Sequence, residues 1–149
     1  MNLTKEDFIL MGVKEGNISP FLLYINEYFE KYGIISENAV KYSLANILHE
    51  TNNLKAMFEI GGGKDSYDGG RDFFGRGLPQ LTHVRNYRAF MAWLRDVEGI
   101  VVDIVSNPSL VATDARLSVL AFIWFWTVND FNTLAEKGMF REKIGRAHV

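Results

Sequence analysis

The sequence predicts a mainly α-helical single domain with a glycine-rich loop in its middle. Apolar residues recur at helical spacing in several segments that begin at capping residues and end at glycine. Seven glycines fall between Gly61 and Gly77, where that periodicity disappears, so this segment is expected to be a loop with a short hairpin. No internal repeat and no linker-like segment divides the 149 residues, which favours one domain.

Capping residues and apolar spacing predict the helices of the first third. Thr4 is expected to cap a first helix, with acidic residues in its favourable first turn. Ser19-Pro20 is a start signal for a helix that runs from Phe21 to about Tyr32. Ser36 begins another helix. Its apolar stripe consists of Val40, Leu44, Ile47 and Leu48.

The second half of the chain contains three more predicted helices. Thr82 is expected to cap a helix from His83 to Glu98 that Gly99 ends. Its inward positions are Tyr87, Phe90, Met91, Leu94 and Val97. A long helix over Asp114–Val128 and a shorter one over Phe131–Lys137 follow. The apolar run 117–126 is too short to span a bilayer, which needs about 20 residues, so it predicts a buried helix with core aromatics.

Composition excludes several classes of function. The net charge of −2 provides no basic field for nucleic acid, and the absence of cysteine excludes disulfides and thiol nucleophiles. The N-terminus lacks the pattern of a signal peptide. Three scattered histidines and no recognisable phosphate or dinucleotide motif favour neither a metal nor an organic cofactor. We expect a monomer that neither inserts into membranes nor binds nucleic acid.

Two acidic residues border an unusual amount of apolar surface. Glu50 ends the helix that Ser36 begins, at the edge of its apolar stripe, and Glu59 follows nine positions later beside the glycine-rich loop. Glycoside hydrolysis needs such a pair, one carboxyl in an apolar pocket that keeps it protonated and one that stays ionised. A glutamate at a helix end is, however, usually a solvated surface residue. His49-Glu50 does not begin a zinc-protease motif, because position 53 is Asn where that motif needs His.

Several motifs occur in a fixed order along the chain. They are His49-Glu50-Thr51, Glu59 followed by Ile60-Gly61-Gly62-Gly63-Lys64, Gly75-Arg76-Gly77, Gln80-Leu81-Thr82, Asn86-Tyr87 and Asn107-Pro108-Ser109-Leu110. Together they resemble glycoside hydrolase family 19, which contains chitinases and phage endolysins with a lysozyme-like α-helical fold. The resemblance covers roughly residues 19–135 and implies a domain whose glycine-rich loop lines a cleft.

The resemblance implies roles for individual residues. Glu50 matches the general acid and Glu59 the general base of an inverting mechanism, whose carboxyl groups stand about 6.5–9.5 Å apart. Thr82 matches a residue that helps to hold the water, and Gln80 and Asn86 match substrate-binding positions. The alternatives without a functional role are a helix cap for Thr82 and ordinary polar loop or helix residues for Gln80 and Asn86.

Two further residues are placed on the substrate side with less specific roles. Arg76, between two glycines, is expected to brace the loop by hydrogen bonds. Tyr67 is expected to stack on a sugar ring. His83 and His148 have no visible partners in the sequence and are expected at the surface.

The chain departs from the family pattern at its C-terminus. The family continues past the position of Phe140 into a segment that closes the cleft, whereas Lys143 to Val149 resemble the translation of a sequencing adapter. We therefore expect one catalytic domain over residues 1–142 and a non-native tail over 143–149.

The expected activity is that of an endolysin-type enzyme that cleaves the β-1,4 glycan of bacterial peptidoglycan. Such an enzyme would wait in the host bacterial cytoplasm until lysis and then act on the cell wall. A chitinase acting on N-acetylglucosamine polymers is the nearest alternative. A non-catalytic glycan-binding remnant and a lytic transglycosylase, which needs one acid only, are the others.

Overall fold

Helices make up most of the described part of the chain, residues 2–138 of a computed structural model. In chain order they are α1 (Lys5–Leu10), α2 (Glu15–Ile18), α3 (Leu22–Lys31), α4 (Glu37–Glu50), α5 (Val84–Trp93), α6 (Leu110–Thr113), α7 (Ala115–Val128) and α8 (Phe131–Glu136). A single 3-10 turn, Arg71–Phe73, lies in the glycine-rich segment. The mainly α prediction is confirmed, and the domain boundary at 142 with the expected tail lies outside the described residues.

Three helices begin at the residues that the sequence predicts, because each cap accepts a hydrogen bond from a first-turn amide. Thr4 Oγ1 accepts from the Asp7 amide at 3.2 Å, and the Asp7 carboxylate accepts from the Thr4 amide in return. Ser36 caps α4, and Asp114 caps α7 through the amide of Leu117 at 3.0 Å.

The predicted start signal at Ser19-Pro20 works differently. A short helix that the sequence analysis did not predict, α2, ends here, and the Ser19 hydroxyl donates to the Glu15 carbonyl at 2.8 Å. Because that hydroxyl closes α2, it does not cap the next helix. The helix α3 begins at Leu22 and ends at Lys31, with Tyr32 as its C-cap just before Gly33, where the end was predicted.

The predicted helix His83–Glu98 ends at Gly99 as expected, but its start and its last turn are corrected. Thr82 does not cap it, because the N-cap position is occupied by His83. The His83 side chain makes no hydrogen bond to the amides of the first turn. From Leu94 to Glu98 the helix widens into a π-helical turn, which rotates the following side chains. Val97, predicted to face inward, is 53% exposed as a result.

The centre of the fold is α7. Every residue from Leu117 to Trp126 is buried, which confirms that the apolar run forms a core helix. It packs against α3, α5, α6 and α8. Rings from α3 and α5 meet it, with Phe29 6.1 Å from Phe122 and Phe90 6.0 Å from Trp124 between ring centroids. Within residues 2–138, no helix has both the length and the apolarity that a bilayer span requires.

Candidate active site

Glu50 is the last residue of α4, and its position follows from how that helix ends. The buried hydroxyl of Thr51 donates to the Ile47 carbonyl at 2.7 Å and accepts from the Leu54 amide at 2.9 Å. Glu50 is half-buried, as the edge of an apolar stripe predicts, while His49 is exposed. Thr51, which the sequence analysis did not single out, therefore fixes where Glu50 leaves the helix.

A left-handed turn follows α4 and reverses the chain. Asn52, Asn53 and Leu54 have φ angles of 48°, 59° and 63°. Asparagine tolerates this region, but a leucine there is strained by about 1–2 kcal/mol. Leu54 is only 4% exposed, so burial of its side chain offsets the strain. Strain of this kind tends to collect at functional sites, and this turn leads directly to Glu59.

Glu59 lies on a short antiparallel ribbon. Its amide donates to the Gly75 carbonyl at 2.7 Å, and the Gly77 amide donates to the Met57 carbonyl at 2.7 Å. Its partner strand therefore comes from the far end of the glycine-rich segment. The two sides of this segment are held together within a few ångströms of Glu59.

A short hairpin was expected within residues 61–77, but the tight turn that the structure shows lies just beyond that segment, at 77–80. Arg76 and Leu81 pair through two backbone hydrogen bonds of 3.1 and 2.8 Å. The fully buried Leu78 donates its amide to the Ser118 carbonyl of α7 at 3.4 Å. A Cβ at Gly77 would lie 3.0 Å from the Val111 side chain, so this turn is fixed against α6 and α7.

The Glu59 carboxylate is held by two groups of the loop. The Tyr67 hydroxyl lies 2.8 Å from Oε1 and 3.0 Å from Oε2, and the Gly75 amide donates to Oε1 at 3.4 Å. The hydrogen bond to Glu59 raises the pKa of Tyr67 above its usual value, and burial and the carboxylate charge add to this effect. Tyr67 thus reaches Glu59 with its hydroxyl, a contact that the sequence analysis missed.

Gln80, Thr82 and Asn86 form a chain of hydrogen bonds next to Gly75. Thr82 Oγ1 donates to the Gln80 carbonyl at 2.8 Å, and Asn86 Nδ2 donates to the Thr82 carbonyl at 2.9 Å. A Cβ placed on Gly75 would lie 2.9 Å from Gln80 Oε1 and 3.4 Å from Thr82 Oγ1. The Gly75 amide also contacts Glu59, so Gly75 is the residue at which this chain of hydrogen bonds approaches the carboxylate.

Arg76 braces the loop, as the sequence analysis expects. Its side chain is buried, and Nη1 donates to the Asp72 carbonyl at 2.7 Å and to the Tyr87 hydroxyl at 2.9 Å. The Tyr87 hydroxyl extends this hydrogen-bond network by donating to the Phe74 carbonyl at 2.6 Å. Burial raises the pKa of Tyr87 to about 12, although the Arg76 hydrogen bond opposes the rise. The guanidinium also lies 3.8 Å from the centroid of the Phe74 ring.

Asp68 and His83 tie the loop to the start of α5. The Val84 amide donates to the Asp68 carbonyl at 2.8 Å, and the Arg85 amide donates to Asp68 Oδ2 at 3.2 Å. Asp68 therefore caps α5 from sixteen positions before its first residue, Val84, in place of Thr82. His83 is only half exposed and accepts from the Asp68 amide through Nδ1 at 3.1 Å. The expectation of a partnerless surface histidine was wrong, because periodicity does not reveal loop contacts.

The structure thus places the predicted residues in two groups. Glu59, Tyr67, Gln80, Thr82 and Asn86 surround the loop at Gly75, whereas Glu50 stands at the end of α4. Such an arrangement provides a carboxylate among polar donors and a second carboxyl at the border of the core, which suits acid–base chemistry on a polar substrate. Among residues 2–138, no three His, Cys, Asp or Glu side chains are grouped to hold a metal ion.

Comparison with known families places most of the chain in one family. Residues 22–137 match the family model described as chitinase class I of glycoside hydrolase family 19. The acidic 26 kDa endochitinase of Solanum lycopersicum is 38% identical over 96 residues, which cover 56% of this chain and 32% of that protein. The acidic endochitinase pcht28 of Solanum chilense is 48% identical over 56 residues, 36% of this chain and 20% of that protein. The chain thus spans a third or less of these relatives.

Two solved structures share the fold. Chitinase C from Streptomyces griseus HUT6037 superposes with a TM-score of 0.70 at 20% identity, covering 97% of this chain and 64% of that one. The class IV chitinase of Zea mays superposes with a TM-score of 0.58 at 23% identity, covering 80% and 62%. The similarity confirms the expected helical architecture.

Proposed function

This chain belongs to glycoside hydrolase family 19, and from that premise we propose that it hydrolyses β-1,4 bonds in polymers of N-acetylated sugars. The observation that carries the proposal is the setting of Glu59. Its carboxylate is oriented by Tyr67 and Gly75 at 2.8 and 3.4 Å, beside the hydroxyl of Thr82 and the amide of Gln80. A carboxylate held in this way among polar groups suits a general base that activates water.

In the proposed mechanism the two carboxyl groups act on opposite sides of the glycosidic bond. Glu50 gives its proton to the leaving glycosidic oxygen while Glu59 takes a proton from the attacking water. The water oxygen bonds to the anomeric carbon as the bond to the leaving oxygen breaks, which inverts the anomeric configuration. Each carboxyl returns to its starting state by exchange of one proton with solvent.

Thr82 is proposed to orient that water as an acceptor. A hydroxyl has one proton, and in the structure Thr82 Oγ1 donates it to the Gln80 carbonyl at 2.8 Å. The lone pairs of Oγ1 can then accept one hydrogen of the water, while the second hydrogen of the water points to Glu59. The amides of Gln80 and Asn86 are proposed to bind hydroxyl and N-acetyl groups of the sugar with their remaining donors and acceptors.

Peptidoglycan is the first proposed substrate and chitin the second. The stretch from Glu59 through Gly61 and Gly63 to Lys64 resembles the short bacterial and phage members of the family, which supports a cell-wall glycan. The curated relatives described above are named endochitinases, which supports chitin. Both polymers contain N-acetylglucosamine in β-1,4 linkage, so the same carboxyl pair serves either substrate.

Mass spectrometry of digests tests the proposal. Purified peptidoglycan and chitin are each incubated with the parent chain, Glu50→Gln, Glu59→Gln and the control Glu30→Gln, a change at an exposed residue of α3. We expect hydrated fragments from the parent chain and the control, and a loss of about 10²- to 10⁴-fold in rate for the two site variants. The sugar at the new reducing end identifies the bond and the substrate.

Other outcomes would contradict the proposal in distinct ways. Fragments with a 1,6-anhydro ring and no added water would indicate a lytic transglycosylase. Binding to the glycan without any product from the parent chain would indicate a non-catalytic module. Equal rates for the parent chain and Glu59→Gln would remove the general base from the account.

A further inference from the structure

We infer that Tyr67 is a positioning residue for Glu59, acting through its hydroxyl, and that its ring is not a platform for sugar. The inference rests on the proposed function, in which Glu59 is the general base. The phenol donates to the carboxylate at 2.8 Å from Oε1 and 3.0 Å from Oε2. A hydroxyl at nearly equal distances from both oxygens fixes the plane of the carboxylate as well as its direction.

The hydrogen bonds to Glu59 leave one of its carboxylate oxygens able to accept a proton from the water. Oε1 accepts from the Gly75 amide at 3.4 Å in addition to Tyr67. Among the described residues, Tyr67 is the donor to Oε2. Because Tyr67 has a single proton, it serves one oxygen at a time, and when that proton lies on Oε1 the lone pairs of Oε2 have no donor among the described residues. The water proton is therefore expected to arrive on Oε2, with no net proton transfer to or from Tyr67.

The loop around Tyr67 is built to hold this phenol still. The Tyr67 amide donates to the Lys64 carbonyl at 3.2 Å, and the Gly70 amide donates to the Tyr67 carbonyl at 2.8 Å. The next residue, Asp68, is bonded to the first turn of α5, as described above. The His83 ring packs edge-on against Tyr67 with 5.2 Å between centroids. Both the backbone and the ring of Tyr67 therefore have fixed neighbours.

The base of the loop is closed by a backbone contact that only glycine permits. A Cβ on Gly63 would lie 1.9 Å from the Arg71 carbonyl oxygen. The Arg71 side chain forms an ion pair with Asp65 across the same closure. The loop that carries Tyr67 is therefore pinned at both ends, which a residue with a positioning role requires.

The surroundings of the ring speak against stacking. His83 meets one part of the ring, and the Lys64 ammonium lies 5.8 Å from its centroid, where cations approach an aromatic face. A sugar stacked on the face that the ammonium approaches would have to displace it. A positioning role of the hydroxyl and a stacking role of the ring therefore predict different results for the substitution Tyr67→Phe.

Tyr67→Phe separates the two roles, since it keeps the ring and removes the hydroxyl. On the glycan that the parent chain cleaves, we expect kcat to fall about 10- to 100-fold, the worth of a hydrogen bond to a charged group, with KM changed less than about threefold. Tyr24→Phe, a loss of hydroxyl from a half-buried tyrosine on α3, is the matched control and should leave both constants unchanged. Parent-like kcat in Tyr67→Phe would overturn the inference and restore the stacking role.

A titration that does not depend on activity tests the contact itself. Tyrosine ring-carbon NMR follows each phenol, and the resonance missing in Tyr67→Phe assigns Tyr67. We expect Tyr67 to titrate above the ordinary range in the parent chain and to return toward that range in Glu59→Gln. An unchanged titration in Glu59→Gln would overturn the contact. A parent chain that cleaves neither glycan would instead overturn the proposed function, and the positioning role would fall with it even if the titration shows the contact.

Discussion

The core helix α7 and the glycine-rich segment Gly61–Gly77 hold their shapes by different means. In α7, ten successive buried residues, Leu117 to Trp126, contact four neighbouring helices, so its stability is a sum of many similar apolar contacts. In the segment, stability comes from single polar atoms, such as the Asp68 carboxylate at the start of α5 and the Tyr67 hydroxyl at Glu59.

The difference shows where each kind of structure tolerates change. Loss of one apolar side chain from α7 lowers the free energy of unfolding but leaves the other contacts in place. In the loop, one added methyl group or one missing hydroxyl is expected to displace a group that contacts the reacting atoms. We therefore expect the core to govern stability and the loop to govern activity, and the following predictions test that division.

Phe122→Ala is expected to give the largest change in stability. The Phe122 ring is fully buried and lies 5.7 Å from Trp126 and 6.2 Å from Phe125 between centroids. Removal of a buried phenylalanine ring should lower the free energy of unfolding by about 3–5 kcal/mol, measured by urea unfolding. Val128→Ala, at a 56% exposed position of the same helix, is the control and should stay within about 0.5 kcal/mol. A loss below about 1 kcal/mol for Phe122→Ala would contradict tight packing of α7.

Gly63→Ala is expected to damage the loop more than Gly62→Ala does. The added Cβ at Gly63 would overlap the Arg71 carbonyl at 1.9 Å, whereas at Gly62 no atom lies within 4 Å and only the φ of +76° opposes alanine. We expect a loss of about 2–3 kcal/mol for the first and about 1 kcal/mol for the second, by urea unfolding. Glycan hydrolysis per folded molecule should fall in Gly63→Ala alone. Equal effects would show that backbone angle, and not the close approach, matters here.

Glu98 is expected to make stability depend on acid pH. Its side chain is 2% exposed and accepts hydrogen bonds from the Lys31 ammonium at 2.7 Å and from the Tyr32 hydroxyl. Burial by itself would raise the pKa of Glu98, but these two hydrogen bonds, together with the positive charges of Lys31 and Arg116, outweigh it and hold the pKa below the ordinary 4.5. A lowered folded-state pKa stabilises the fold above the unfolded value and loses that stability as pH falls through the folded one.

Glu98→Gln tests this dependence. At neutral pH the variant should lose about 2 kcal/mol, the value of a hydrogen bond to a charged group. The difference between parent chain and variant should shrink as the pH is lowered below about 4.5, because the parent carboxylate becomes protonated there. Urea unfolding at a series of pH values measures it. A difference that stays constant down to about pH 3 would show that the charge of Glu98 does not contribute.

Gly16→Ala is expected to have the smallest effect, with the opposite sign. Gly16 lies in α2, and no atom comes within 4 Å of the position of an added Cβ. Alanine should stabilise the chain by about 0.4–1 kcal/mol by restricting the unfolded state. Thermal unfolding measures the change. A destabilisation would mean that α2 is held by its backbone angles and does not tolerate a side chain.

The sequence predicts the parts of the fold in which local signals agree. Apolar spacing together with the caps Ser36 and Asp114 predicts α4 and α7, because burial and capping both depend on residues near in sequence. The π-helical turn at 94–98 is different, since its effect on Val97 depends on packing that no periodicity reveals. The same applies to Asp68, which caps a helix from another segment.

The candidate site follows the same division. Glu50 and Glu59 were predicted as the carboxyl pair from motifs and their order, and their catalytic roles stay predictions. The bracing role of Arg76 was predicted from its place between two glycines. The hydrogen bond from the Tyr67 hydroxyl to Glu59 and the hydrogen bonds by which Thr51 closes α4 were not predicted, because motif order and periodicity do not reveal which donors and acceptors meet. Only the folded chain brings those atoms together.

The stereochemistry of the first product tests the two-carboxylate account most directly. Proton NMR of a soluble β-1,4 glycan that the parent chain cleaves records the anomer at the new reducing end before mutarotation. The account predicts the α-anomer first, because water activated by Glu59 attacks from the face opposite the leaving oxygen protonated by Glu50. The β-anomer first would mean retention through a covalent intermediate and would contradict the assignment of Glu59 as a general base.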